Sequence, residues 1–163
     1  MNGDPMLIDA LLAQRADPND FIRRSSVKGS LPMWMSAVTV YASFGNNAAM
    51  CRLISARANI GGSFPAVSMA AFCHNVKGVH ILCQHCSPNV RNVFGQPALH
   101  DACMGGSVAT AKQLLPYATP DLLTGALHAV AVSTGGSAQL VELLLAARAD
   151  INAAFVVPTR LLR

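Results

Sequence analysis

Two stretches of this chain echo each other closely enough to exclude most folds. One reads Ala98-Leu99-His100-Asp101-Ala102-Cys103, then Gly105-Gly106-Ser107, then Leu114-Leu115. The other reads Ala126-Leu127-His128-Ala129-Val130-Ala131, then Gly135-Gly136-Ser137, then Leu143-Leu144-Leu145. The order is the same and the spacing nearly so. A second recurrence runs through the whole chain: a pair of large aliphatics, two residues, then a short polar tail. Leu11-Leu12 leads to Arg15-Ala16-Asp17-Pro18-Asn19, and Leu53-Ile54 to Arg57-Ala58-Asn59. Ile81-Leu82 leads to His85-Cys86-Ser87-Pro88-Asn89, and Leu144-Leu145 to Arg148-Ala149-Asp150-Ile151-Asn152. Leu114-Leu115 belongs to the series with a degenerate tail, Tyr117 to Asp121. The pairs begin at 11, 53, 81, 114 and 144, a mean spacing of about 33 residues. Self-similarity at such a period marks a stack of small repeated units, and heptads or repeats of about 40 residues fit it less well.

One unit can be read physically over 95–121. Gly95-Gln96-Pro97 punctuates a turn. Residues 98–104 form a short inner helix, whose Ala and Cys let neighbouring helices approach closely. Gly105-Gly106 ends it, because glycine readily takes the left-handed conformation. Residues 107–115 form an outer helix with Ser107 as N-cap. There Val108, Ala111, Leu114 and Leu115 recur at helical spacing, and Pro116 bars continuation. A single unit cannot bury its apolar face, so the fold follows from stacking.

The stretch from Gly136 to Ala153 resembles the second helix and exit turn of an ankyrin repeat. Leu99-His100 and Leu127-His128 resemble the Leu-His of that family's Thr-Pro-Leu-His opening, with Pro97-Ala98 and Gly125-Ala126 in place of the Thr and Pro. The resemblance is specific over 95–153, weaker over 36–90, and covers a half-unit at 6–19. It implies an all-α solenoid of about four stacked helix-turn-helix repeats plus an N-terminal half-repeat. The expected division of the single domain 1–163 is a half-repeat at 6–19, an insertion loop at 20–35, repeats at 36–62, 63–90, 91–121 and 122–153, and a tail at 154–163. In the family the Leu-His histidine makes backbone hydrogen bonds that tie adjacent turns, which implies that role for His100 and His128.

Three departures carry information. The first gap in the series holds about nine extra residues, within 20–35, and they include Arg23, Arg24, Lys28 and the chain's single Trp, Trp34. Trp and Arg are favoured anchors at interfaces, whereas the plain alternative has Trp34 covering the first inner helix and the arginines solvated. In the unit at 64–90, Asn75, Gly78 and two histidines are expected to weaken the outer helix. The ends read as uncapped: an outer helix without its inner partner at the start, and a turn at Phe155 where the chain stops. Repeat stacks usually need polar caps, so the expectation is a larger parent chain or neighbours that cover the ends.

Composition narrows the function classes. Apolar residues make up 52% and charged residues 12%, the latter about half the usual share, which points to a surface partly covered by a partner. The net charge is +4 and the basic residues are scattered, unlike the basic face of a nucleic-acid reader. No nucleic-acid partner is expected. Five cysteines at irregular spacing do not read as a disulfide framework. Free thiols fit better and imply an intracellular reducing compartment, the cytoplasm or an organelle interior. Neither a signal peptide nor a membrane-spanning run is visible.

Cys73, His74, His80, Cys83, His85 and Cys86 form the densest polar cluster. Zinc takes thiolates and imidazoles, but the spacing scatters these residues over a helix and its exit turn without a second Cys-x-x-Cys pair. No metal and no cofactor are expected. The eight acids show no paired carboxylates, Cys103 falls at a small core position, and the Gly-Gly-Ser steps lack the lysine of a phosphate loop. No catalytic residue is assigned and no enzyme is expected. The resulting expectation is a non-catalytic interaction module or scaffold that binds a protein through turn tips, inner helices and the 20–35 loop. Arg23, Arg24, Lys28, Trp34, Phe64, Phe94, Gln96, Met104 and Phe155 are its candidate contacts. The alternative is a constitutive accessory subunit of a large assembly, docked peripherally on a membrane complex.

Overall fold

The computed structural model describes residues 5–19, 21–24, 33–133 and 137–152. Lys28, the Gly135-Gly136 step and Phe155 lie outside them. The first helix, α1 (Pro5–Ala13), stands alone. Four pairs follow: α2 (Ala37–Ser43) with α3 (Asn47–Ser55), α4 (Ala66–Phe72) with α5 (Val76–Leu82), α6 (Ala98–Met104) with α7 (Val108–Leu114), and α8 (Pro120–Val132) with α9 (Ala138–Ala146). The leading members stack as an inner layer, α2 on α4 on α6 on α8. An outer layer runs α1 on α3 on α5 on α7 on α9, so α1 is the outer half of a unit.

Side-chain size explains the two layers. Ala42, Ala66, Ala70, Ala98, Ala102, Ala126 and Ala129 of the inner helices are fully buried. Their small side chains allow close backbone approach and hide apolar surface on both neighbours. Leu53, Leu82, Leu114 and Leu144, one from each later aliphatic pair, fill the space between layers. Each such burial contributes roughly 2 kcal/mol.

The turn between inner and outer helix is built the same way three times. Gly45, His74 and Gly106 take left-handed backbone at φ 72, 61 and 78. The next residue then donates its N–H back along the helix it leaves: Asn46 to Tyr41 O, Asn75 to Ala70 O and Ser107 to Ala102 O, at 2.9–3.0 Å. This is the helix-ending motif that satisfies orphan carbonyls. The same three residues cap the helix that follows, with Asn46, Asn75 and Ser107 side chains accepting from the N–H of Ala49, Gly78 and Thr110. The exit turns use Arg15, Arg57 and Arg148 in the left-handed region at φ 61, 61 and 69. There the recurrent Asn stitches units together: Asn59 N–H donates to Asn19 Oδ1 at 2.7 Å, and Asn89 Nδ2 to Tyr117 O at 2.8 Å.

Two expectations need correction. Asn75 and Gly78 do not weaken the outer helix of their unit. Asn75 caps α5 and its Nδ2 donates to Ala42 O and Asn47 Oδ1, both at 2.9 Å, while a side chain at Gly78 would collide with the Asn75 carboxamide. Pro116 does follow the end of the outer helix, as expected, since α7 stops at Leu114. Leu115–Tyr117 continues as one turn of 3-10 helix with the proline where no intrahelical N–H is needed. Gly125-Ala126 lies within α8, which begins at Pro120 in the first helical turn, where proline is favoured. Second, residues 20–35 are not irregular throughout: β1 (Phe21–Arg24) and β2 (Met33–Ser36) pair antiparallel, with Phe21 opposite Ser36, and β2 runs directly into α2. The β-branched and aromatic content of those two short runs supports the pairing. Among the described residues no helix is long and apolar enough to cross a membrane.

Candidate partner-binding groove

The site begins with one turn. Arg91 and Pro97 form an isolated antiparallel bridge, and Gly95 reverses the chain between them at φ 75. Asn92 holds the turn from inside. Its Oδ1 accepts from Phe94 N–H at 2.9 Å and Gln96 N–H at 3.1 Å, and its backbone N–H donates to Gln96 O at 2.9 Å. Its Nδ2 donates to Asp101 at 3.2 and 3.4 Å to the two carboxylate oxygens, which ties the turn to α6. Arg91 closes the outside by donating to Gly95 O at 2.6 Å. The preceding tip is linked to this one, because Val93 N–H donates to Ser63 O and the Phe64 and Phe94 rings meet edge to face, centroids 5.9 Å apart.

Behind the tips a groove of about 260 Å³ opens onto the inner layer. Its rim is Phe64, Phe94 and Gln96 from the turns with Phe72 of α4 and Met104 of α6, and Met69 of α4 lies along its wall. Ser68 and Asp101 contribute its polar atoms together with Asn92. The rim is exposed although apolar: Phe72, Phe94 and Met104 keep 46%, 43% and 36% of their surface.

Four of the candidate contacts, Phe64, Phe94, Gln96 and Met104, thus meet in one place. Arg23 and Trp34 are partners across the strand pair, and Arg24 pairs with Met33. Lys28 and Phe155 lie outside the described residues. Sequence reasoning missed Ser68, Met69, Phe72, Asn92 and Asp101. Unit register carried a signal: α4 and α6 are both seven residues long after a proline cap, so Phe72 ends α4 where Met104 ends α6.

Burial dominates the electrostatics. Asp101 is 9% exposed, and loss of solvent pushes its carboxyl up to about 7, against the opposing pull of Ser68 and Asn92. Ser68 Oγ lies beside the carboxylate without completing a hydrogen bond, and remains buried and unpartnered. His100 is 7% exposed and burial pushes its imidazole down to about 4, so it is neutral at physiological pH. Among the described residues its Nδ1 meets no hydrogen-bond partner, so that atom does not make there the tie between turns that the resemblance implied. At the matching place in α2, Thr39 makes such a tie: Oγ1 donates to Phe64 O at 3.1 Å. His128 Nδ1 instead pairs with Thr124 O of its own helix at 2.8 Å.

The thiols are free and poorly placed for chemistry. Burial raises Cys103 to about 12, and burial with the neighbouring Cys83 raises Cys86 to about 11, so both stay protonated. Cys86 Sγ donates to Leu82 O at 3.3 Å. Among the described residues no three His, Cys, Asp or Glu side chains converge as metal ligands would.

No curated protein matched the chain. A family model for ankyrin repeats, in three copies, matches residues 67–154, a span that opens in α4 and runs past α9. That match covers more than half of the 163 residues and falls on the layered helix pairs just described; the chain belongs to the ankyrin-repeat family.

Proposed function

We propose that this chain is a non-catalytic interaction module that seats a protein partner in the groove behind the 64 and 94 turn tips and along the paired strands β1 and β2. Ankyrin repeats as a family mediate protein–protein contact. The observation that carries the reading for this chain is the exposed apolar rim of Phe72, Phe94 and Met104. Large apolar side chains clustered around a concavity mark interaction sites, whereas isolated ones do not. A photo-crosslinking residue placed at Phe94 is expected to capture defined partners in cells. The same residue at Gln84, exposed on the far side at the end of α5, is the control. Capture at Gln84 equal to that at Phe94 defeats the proposal. For the paired strands, Arg24→Ala with Trp34→Ala is expected to weaken capture without lowering the melting temperature.

The accessory-subunit reading has its own support in α1. Met6, Leu7 and Leu11 are 76%, 58% and 46% exposed on it. Beside them a second groove of about 250 Å³ is lined by Ile8, Leu12, Tyr41 and Leu53. A permanently docked subunit needs these surfaces covered, and the isolated chain is then expected to self-associate in sedimentation. A stable monomer counts for the reversible module.

A further inference from the structure

We infer that the groove receives an arginine side chain of the partner, with the guanidinium at Asp101 and Ser68 and the stem against Phe94 and Met104. This rests on the groove being the partner site. Three observations carry it beyond that.

The acid is out of place for a merely structural role. Asp101 is the fourth residue of α6, and the fourth residues of α2 and α4 are Val40 and Met69. Where sister units place an apolar side chain, this one places a carboxylate under an apolar rim. Among the described residues the one donor that completes a hydrogen bond to it is the Asn92 amide, and a neutral amide at 101 could accept that bond as well. A carboxylate has about four acceptor sites, so most of its capacity faces the groove unused. Among the described residues that line the groove there is no Lys, Arg or His.

A second acceptor waits beside it. Ser68 lines the same groove and is 2% exposed; its hydroxyl leans on the Asp101 carboxylate without completing a hydrogen bond, which leaves its Oγ lone pairs open to a donor. A buried hydroxyl left short of a full hydrogen bond is unfavourable, and a donor arriving from the partner relieves it. Two adjacent acceptors under an apolar rim match a group with several donors in a planar fork.

The rim selects among cations. Guanidinium is more weakly hydrated than ammonium and stacks on aromatic faces. Its long stem packs on apolar surface while the head stays polar. The Phe64–Phe94 pair and the Met104 thioether supply that surface. Lysine would surrender a stronger hydration shell for the same contacts.

The test uses the whole chain and three small probes: N-acetyl-arginine methylamide, its neutral isostere N-acetyl-citrulline methylamide, and N-acetyl-lysine methylamide. Binding is followed by NMR through the Asn92 side-chain amide and the Met69 and Met104 methyl signals. The arginine probe is expected to bind about tenfold more tightly than citrulline, a gap of about 1.4 kcal/mol. Asp101→Asn is expected to erase that gap, and Phe94→Ala to weaken arginine binding while keeping the preference. Equal binding of citrulline overturns the role of Asp101, equal binding of lysine overturns the guanidinium assignment, and no arginine binding overturns both. In each case crosslinking at Phe94 still decides whether the groove is a partner site, so the two proposals fail separately.

Discussion

Asp101 and His100 are neighbours on one helix whose protons respond to folding in opposite senses. Folding raises the Asp101 pKa from 3.8 to about 7, so across that window the unfolded chain has released a proton that the folded chain keeps. Stability then falls as pH rises. Folding lowers the His100 pKa from 6.5 to about 4, so across that window the unfolded chain holds a proton that the folded chain refuses. Stability then rises with pH. The full effects are worth roughly 4 kcal/mol for Asp101 and roughly 3 kcal/mol for His100 at most, and between pH 4 and 6.5 they oppose each other. The native chain is therefore expected to show a nearly flat stability profile there. Asp101→Asn should uncover the histidine, giving urea midpoints that climb from about pH 4 to about pH 6.5, and His100→Gln should uncover the acid, giving midpoints that fall. Flat profiles in both variants would refute the assignment. None of this was legible from the residues alone. Asp101 sits inside an ordinary inner-helix pattern, and its role arises from Asn92 across a turn and from Ser68 of the unit before.

At the level of elements, much was legible because the turn chemistry is local. The helix at 98–104, its glycine stop and the Ser107 cap follow from residues adjacent in sequence, and the structure has them in those places. The recurrent arginine of the exit tails marks a left-handed helix end, which the sequence repeated without revealing why. The β1–β2 pairing was not legible, because the strands are four residues each and declare themselves only by pairing. Nor was the start of α8, where a helix replaces the turn tip that other units have. Comparing equivalent turns yields a prediction. Gly45 and Gly106 occupy the left-handed position that His74 holds at φ 61 in the middle unit. A residue with Cβ is strained there by roughly 1 kcal/mol, partly offset by the lower chain entropy of the unfolded state. His74 is exposed and capping belongs to Asn75, so nothing else is lost on substitution. His74→Gly is expected to gain about 0.5 kcal/mol, and His74→Asn less, read from thermal unfolding. A loss of stability with glycine would show that the histidine side chain contributes more than its backbone strain costs.

Over the whole molecule, stability is a sum of small units and the interfaces between them, so the weakest interface decides whether the stack melts as one. The α4–α6 junction lies in the middle of the stack and forms one wall of the groove. Gly105 is the close-approach point of that junction. A Cβ there would strike the Phe72 carbonyl oxygen, with the Phe72 carbonyl carbon and Cα at 3.1 and 3.2 Å. These are backbone atoms and cannot swing aside as a side chain can. Gly105 itself has ordinary backbone at φ −75, so the cost of Gly105→Ala falls on the interface rather than on the turn. The substitution is expected to prise α6 from α4, uncoupling the units before residue 90 from those after it. Native unfolding in urea should be one transition, whereas Gly105→Ala should give two, or one with a reduced slope because less surface is exposed per cooperative step. Hydrogen exchange should place the boundary between α5 and α6, with α2 to α5 and α6 to α9 protected to different degrees. The groove spans this boundary, so the variant should also lose the arginine probe while both halves stay folded at low urea. A single transition of native slope would mean that the junction accommodates a methyl group, and that coupling along the stack runs through the outer layer instead.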